Sequence, residues 1–332
     1  MVSHATLGAM RRTFLILLAL LCLSPQALAD PGLWKSEWPK TDFSKKLASI
    51  KFSEIFSGGP PKDGIPAIDK PKFEPVSEID NLSDTEPVVG LIVNGEAKAY
   101  PVQVLMWHEI VNDTIGGVPV SVTFCPLCNA VVVFDRRLDG QVLDFGTTGK
   151  LRYSDLVMYD RQTESWWQQF LGKAITGKLT GKVLKVLPSR LESWEKFRKR
   201  APKGKVLVPD TAFLRSYGAN PYEGYDTLRQ PFLYQGETPK GIAALARVVS
   251  LQKKDQAWSL ELLRKKKQIK LADGTVLAWE KGQNSALDTR EIADGRDVGN
   301  VTAQRNGKDI PYFVDFAFAF HAFYPKATIH KP

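Results

Sequence analysis

The stretch "VPVSVTFCPLCNAVVVFDR", Val118 to Arg136, decides how this chain folds. Runs of Val, Thr and Phe flank Cys125-Pro126-Leu127-Cys128 on both sides, and β-branched and aromatic side chains suit a pleated, half-buried surface. Both runs read as antiparallel strands, with the cysteines in the turn between them. A thioredoxin-like dithiol needs its first cysteine at a helix N-terminus, where the dipole favours the thiolate. Here Asn129 is followed by Ala-Val-Val-Val-Phe, which predicts a strand. A Cys-Pro-x-Cys turn between strands has instead the shape of a metal knuckle, in which two sulfurs converge on one ion.

Outward from this turn the strand-and-turn pattern continues. "PVVGLIVNGEAKAYPV" carries two apolar runs around Asn94-Gly95, and Asp139-Gly140 and Asp273-Gly274 stand in similar settings. Asn-Gly and Asp-Gly between apolar runs are strong hairpin signals. Helical spacing is confined to "PVQVLMWHEIV", which brings His108 and Glu109 to the end of a short helix, and to "SRLESWEKFRKR", where Ser189 and Glu192 have capping-box spacing. The reading is a β-rich α+β protein of antiparallel sheets or barrel-like units with a few short helices.

Two parts of the chain resemble one another. Val88, Val89 and Leu91 match Val248, Val249 and Leu251, Ala99-Tyr100 match Ala257-Trp258, and Val102 to Leu105 match Leu260 to Leu263. Further on, Gly117 can face Gly274, and Asp139-Gly140 can face Asp294-Gly295. Either the chain holds a duplicated β-rich unit with a worn second copy, or its hairpins are merely alike. In a duplication, Lys266 stands at the place of His108 and nothing replaces either cysteine, so what occurs once would serve function. The expected organisation is a leader over 1–29 and an extended Pro/Gly-rich segment over 30–84. A first unit with the cysteine site follows over 85–240, and a degenerate second unit over 241–332 packs on it.

The leader sets the compartment. Arg11-Arg12, the apolar run "TFLILLALLCL" and "ALA" at Ala27 to Ala29 have the charged, apolar and small-residue order of an export signal cleaved near Ala29. Cys22 would leave with it. The double arginine partly imitates a twin-arginine signal, so both export routes stay open. The expected location is periplasmic or secreted, where a disulfide is also natural. No second run is long and apolar enough to span a bilayer. Net charge is +9, and +7 without Arg11 and Arg12. The basic runs "EKFRKRAPKGK" and "RKKKQIK" lack the interleaved aromatics and motif of a nucleic-acid binder, so no nucleic-acid partner is expected.

Two thiolates are half of a tetrahedral shell. His108 is the first candidate to extend it, and Met158 in "SDLVMYD" offers a thioether. Thiolate, imidazole and thioether together suit copper, whereas a carboxylate or second imidazole suits zinc or iron. Each candidate has a plain alternative: a hydrogen-bonded helix end for His108, core packing for Met158, and a Cys125–Cys128 disulfide. Glu109, Asn112, Asp113, Asp155, Asp160 and Trp167 are expected to line a pocket or support the ligands. The resulting expectation is an exported protein that holds one metal ion for metal handling or redox chemistry. Its alternative is a non-metal enzyme or small-ligand-binding protein with a structural disulfide.

The runs "GGPPKDGIPAIDKPKF", "NGEAKAYP", "HEIVND", "TFCPLCNAVVVFDR", "FGTTG", "DLVMYDR", "SWWQQ" and "YGANPYEGY" together resemble the exported bacterial and archaeal proteins grouped as domain of unknown function 3179. The resemblance extends from about Gly58 to Pro325. It implies that His108, Glu109, Asn112, Asp113, Cys125, Cys128, Gly146, Gly149, Asp155, Met158, Tyr159, Asp160 and Trp167 fall on signature positions. The family's activity is itself unknown, so the resemblance adds positions and no reaction.

Overall fold

Asn94 and Gly95 take left-handed backbone angles, φ 49° and 84°, and their turn pairs the strands Pro87–Val93 and Glu96–Pro101. In this computed structural model, which describes residues 31–44, 48–210, 212–253 and 255–332, that hairpin opens a unit which the chain builds twice. The expected leader lies outside the described residues.

In the first unit the helix Val102–His108 leads from the hairpin to the strands Ile110–Ile115, Val118–Cys125 and Ala130–Asp135. Arg190–Ser193 then pairs antiparallel with Pro87–Val93, the helix Trp194–Arg200 crosses over, and Lys205–Val208 pairs parallel with Glu96–Pro101. In the second unit Arg247–Leu251 and Gln256–Ser259 make the hairpin, and the helix Leu260–Lys266 leads to Gln268–Lys270, Thr275–Glu280 and Asn300–Arg305. Tyr312–Phe316 pairs antiparallel with Arg247–Leu251, the helix Ala317–Phe323 crosses, and Thr328–His330 pairs parallel with Gln256–Ser259.

The match holds residue by residue. Val89 opposes Tyr100 as Val249 opposes Trp258, and Phe124 opposes Val131 as Trp279 opposes Val301. Irregular backbone bonds repeat too. The Phe124 N–H donates to the Glu109 carbonyl (2.8 Å) and the Trp279 N–H to that of Lys267 (2.9 Å). The order of strands, helices and pairings in the first unit thus recurs in the second. The units also meet reciprocally: Ala130–Asp135 lies against Tyr312–Phe316, and the counterpart strands Asn300–Arg305 and Arg190–Ser193 lie together. Contacts of that kind join the two halves of a symmetric dimer.

Two expectations need correction. Asp139-Gly140 does not face Asp294-Gly295. Asp135 opposes Lys185 as Arg305 opposes Lys308, so the Asn306-Gly307 turn stands where the first unit carries everything from 136 to 184. Asp294-Gly295 lies in the 281–299 connection, which takes the place of the cysteine turn, since Cys125 opposes Ala130 as Glu280 opposes Asn300. Second, the helix expected from Ser189 begins at Trp194, with no side-chain cap from Ser193; Arg190–Ser193 completes a sheet, and tertiary pairing overrides the capping signal. The fold class is the β-rich α+β one expected: among the described residues the sheets are mainly antiparallel and stay open, and none closes into a barrel.

The 136–184 insertion forms a sheet of its own from Phe145–Arg152, Asp155–Asp160, Trp166–Gln168 and Lys173–Thr176, edged by Ile55–Ser57. Trp34, Trp38 and Phe43 pack around Trp166 on one side of it. The Pro/Gly-rich segment lies extended beside it, as its composition predicts: the Gly58 N–H donates to the Gly149 carbonyl at 2.8 Å and that of Ile68 to the Ile110 carbonyl at 2.9 Å. Gly149, at φ 66°, has room for no side chain, because a Cβ there would sit 1.9 Å from the Pro60 carbonyl oxygen. One apolar core continues through both units and the inner side of the insertion. No helix among the described residues is long and apolar enough to cross a membrane.

Candidate metal centre

Cys125 ends its strand, Pro126–Cys128 form a single 3-10 turn, and Asn129 closes it in the left-handed region, φ 52° and ψ 29°. Asn is among the few residues that adopt this conformation readily. Its side chain is used as well: Nδ2 donates to the Val314 carbonyl of the second unit at 2.8 Å. The turn is thereby clamped between the units. Both cysteines are free thiols, 2% and 0% exposed.

The third group comes from the insertion. Tyr153 and Ser154 turn through positive φ, 56° and 63°, between the strands Phe145–Arg152 and Asp155–Asp160. That turn reaches the cysteines: the Cys125 thiol donates to the Ser154 carbonyl at 3.6 Å. A ligand atom of Asp155 and both sulfurs lie within 4.8 Å of one another, all buried. One Asp155 oxygen, Oδ2, accepts from Gln168 Nε2 at 2.5 Å and the Phe170 N–H at 3.0 Å, which fixes the carboxylate.

The charges that act on this group are negative. Burial pushes the Cys125 thiol above its ordinary range, and Asp155 and Glu109 add to the shift. Cys128 is pushed higher still by burial, by Cys125, by Asp155 and by Asp315 of the second unit. Glu109, 8% exposed, has its carboxyl pushed up to about 8, first by burial and then by Asp155. Two thiols and the carboxyls of Glu109, Asp155 and Asp315 thus share one dry interior. Such a set is costly to ionise unless a cation joins it.

His108 does not join the three groups. Its Nδ1–H donates to the Pro66 carbonyl at 2.7 Å, so the other nitrogen of the neutral ring, Nε2, accepts from the Tyr217 hydroxyl at 2.8 Å. No lone pair is left for a metal, and burial lowers the ring's pKa. The helix-end reading therefore describes His108. Met158 lies three residues along the strand from Asp155, and the two-residue period of a strand puts it on the other face, paired across to Thr147 and Trp167. Asp155 moves from supporting residue to candidate ligand.

The remaining candidates hold the insertion and hairpins in place. Asn112 donates through Nδ2 to Asp69 and to the Phe145 carbonyl and accepts from the Phe145 N–H. Asp113 accepts from Lys98 and Tyr100. Asp160 caps its turn by accepting from the Thr163 N–H and hydroxyl and from Trp167 Nε1. Arg152 and Arg161 pair with Glu54 and Asp69.

Sequence reasoning gave no role to the cover. In "YGANPYEGY", the Tyr225 hydroxyl donates to the Leu127 carbonyl inside the cysteine turn at 2.9 Å, Glu109 and Cys125 act on the Tyr222 phenol after burial, and Tyr217 stacks on His108. The Ser154 hydroxyl donates to Phe232 of the same segment at 2.7 Å. Three tyrosines within nine residues were the available signal. Asp315 was also missed, although a single acid inside "YFVDFAFAF" is conspicuous.

The family model described as a protein of unknown function (DUF3179) matches residues 62–327, and the chain belongs to that family. No curated protein and no solved structure matches it.

Proposed function

We propose that this member of the DUF3179 family is an exported protein whose first unit holds one divalent cation through Cys125, Cys128 and Asp155. The observation that carries the reading is the buried convergence of two thiols and a carboxylate within 4.8 Å, among groups whose charges are negative. A bound ion reverses the local pKa logic, deprotonating the thiols and offsetting the desolvation of the carboxylate. Two thiolates with a carboxylate suit zinc or iron, and copper(I) would want the imidazole or thioether that stand apart from the group. Because Cys125, Cys128 and Asp155 are at most 2% exposed, the centre suits retention of an ion more than turnover of a substrate upon it.

The test is elemental analysis with thiol titration on protein exported by its own leader and purified without oxygen. The expected content is about one equivalent of zinc or iron, absent from the Cys125→Ser/Cys128→Ser double variant. Metal-free protein that takes up neither ion, with its thiols titratable or joined in a disulfide, overturns the reading.

A further inference from the structure

Glu109 occupies a position that both units build alike. Its backbone is left-handed (φ 57°, ψ −30°), and so is that of Lys267 (φ 61°, ψ −37°). Each follows the end of its helix and offers its carbonyl to the counterpart strand residue, Phe124 or Trp279. An unusual conformation at one active centre would suggest strain kept for function; here it recurs in both units and belongs to the scaffold. The side chain is what differs. Lys267 is exposed and lays its ammonium 4.3 Å from the centroid of the Trp279 ring. Glu109 turns inward to 8% exposure, with no hydrogen-bond or ion-pair partner for its carboxylate among the described residues. A carboxyl held in such a place without a partner stays protonated rather than charged, and it ionises where a cation joins it; its backbone already reaches the cysteine strand, through the Phe124 N–H next to Cys125.

Asp315 is the other acid at the cysteines, but its position does not distinguish the units. Val248 opposes Asp315 as Val88 opposes Glu192, so an acid stands there in both. The acids that belong to the first unit alone are Glu109 and Asp155.

We infer that Glu109 is the fourth donor of the centre, closing on the ion held by Cys125, Cys128 and Asp155 to make a two-sulfur, two-oxygen shell. This rests on the metal reading above and deepens it, because such a shell selects a zinc- or iron-type divalent ion against copper(I). Glu109 lies outside the three groups whose atoms are already within 4.8 Å, so its approach is a side-chain rotation about a backbone that the scaffold fixes.

The test measures Zn2+ and Cu+ affinities by chelator competition for the parent and for Glu109→Gln, with Co2+ absorption to report coordination. Outer-shell partners of a metal cost about 10–100-fold in affinity, so a direct ligand should cost more than about 100-fold for Zn2+ in Glu109→Gln. Cu+ affinity should stay within about 3-fold, since thiolates dominate its binding. The metal-free variant should melt no lower than the parent, because Gln keeps the volume and neutrality of a carboxyl that burial leaves uncharged without the ion; Glu109→Ala serves as a second variant if Gln disturbs folding. A Zn2+ affinity within about 10-fold of the parent, or an equal loss for Cu+, overturns the inference while leaving the three-ligand centre intact. A parent protein that binds neither Zn2+ nor Fe2+ overturns both.

Discussion

The two units share their ladders, their helices and the backbone at Glu109 and Lys267, yet among the described residues only the first gathers thiols and an acid into a buried group. They part at two connections. Where the first unit makes the tight cysteine turn, the second runs through 281–299; where the second turns at Asn306-Gly307, the first inserts the sheet that carries Asp155. Repeated ladders hold the shape, and connections are free to acquire chemistry. The second unit then contributes indirectly, through Val314 and Asp315 beside the cysteine turn.

The sharpest way to break this comparison is at the two glycines that mark the divergent connection. Gly149→Ala drives a Cβ to 1.9 Å from the Pro60 carbonyl oxygen and should cost more than about 3 kcal/mol, because backbone cannot yield as a side-chain tip can. Gly307→Ala, at φ 72° with open space around it, should cost about 1–2 kcal/mol for left-handed backbone alone. Urea melts of both variants check this; equal costs would mean that the insertion is not docked on the Pro60 segment.

The next test concerns a charge peculiar to the second unit. Arg247 is 8% exposed and its Nη2 lies 2.8 Å from Asp226 Oδ2, while Arg296 holds Oδ1 at 2.8 Å. Its counterpart in the first unit is the uncharged Pro87. Arg247→Met should cost about 3 kcal/mol by leaving Asp226 half paired, and adding Asp226→Asn should recover part of that loss in thermal melts. Burial raises the Asp226 carboxyl, but Arg247, Ser285 and Arg296 outweigh it and hold it below its usual value. The unfolded chain then binds this proton more readily than the native one, so the contribution is present above about pH 4 and lost as pH falls further. Asp226→Asn should flatten that part of the acid-stability profile, and an unchanged slope would remove Asp226 from the account.

The smallest effect is expected at Lys267. Its ammonium on Trp279 is exposed, so Lys267→Ala should cost about 0.5–1 kcal/mol, visible as a small shift in the urea midpoint. A cost of several kcal/mol would mean that the second unit depends on this side chain for its fold.

Much of the scaffold was legible because its signals are local. Asn94-Gly95 and Asp139-Gly140 turn where their φ preferences require, and the Val-rich flanks of the cysteines pair as their composition predicts. The duplication was legible through the hairpin and first helix, where counterpart residues keep register. It was misaligned beyond them, because one unit had lost a turn and gained a sheet while the alignment assumed small deletions. At the site, Cys125, Cys128 and Glu109 could be picked out from the sequence, and His108 was overvalued for its nearness along the chain.

The sequence by itself determined the hairpins, the tight cysteine turn between its strands and the family, since each depends on residues within a few positions of one another. Only the tertiary structure decided which groups meet. It brings Asp155 to the sulfurs through the tip of an inserted hairpin, commits both nitrogens of His108 elsewhere, and sets Asp315 of the second unit beside Cys128. Those outcomes follow from packing between elements distant in sequence, where desolvation and the pairing of buried polar groups, not local preference, choose the partners.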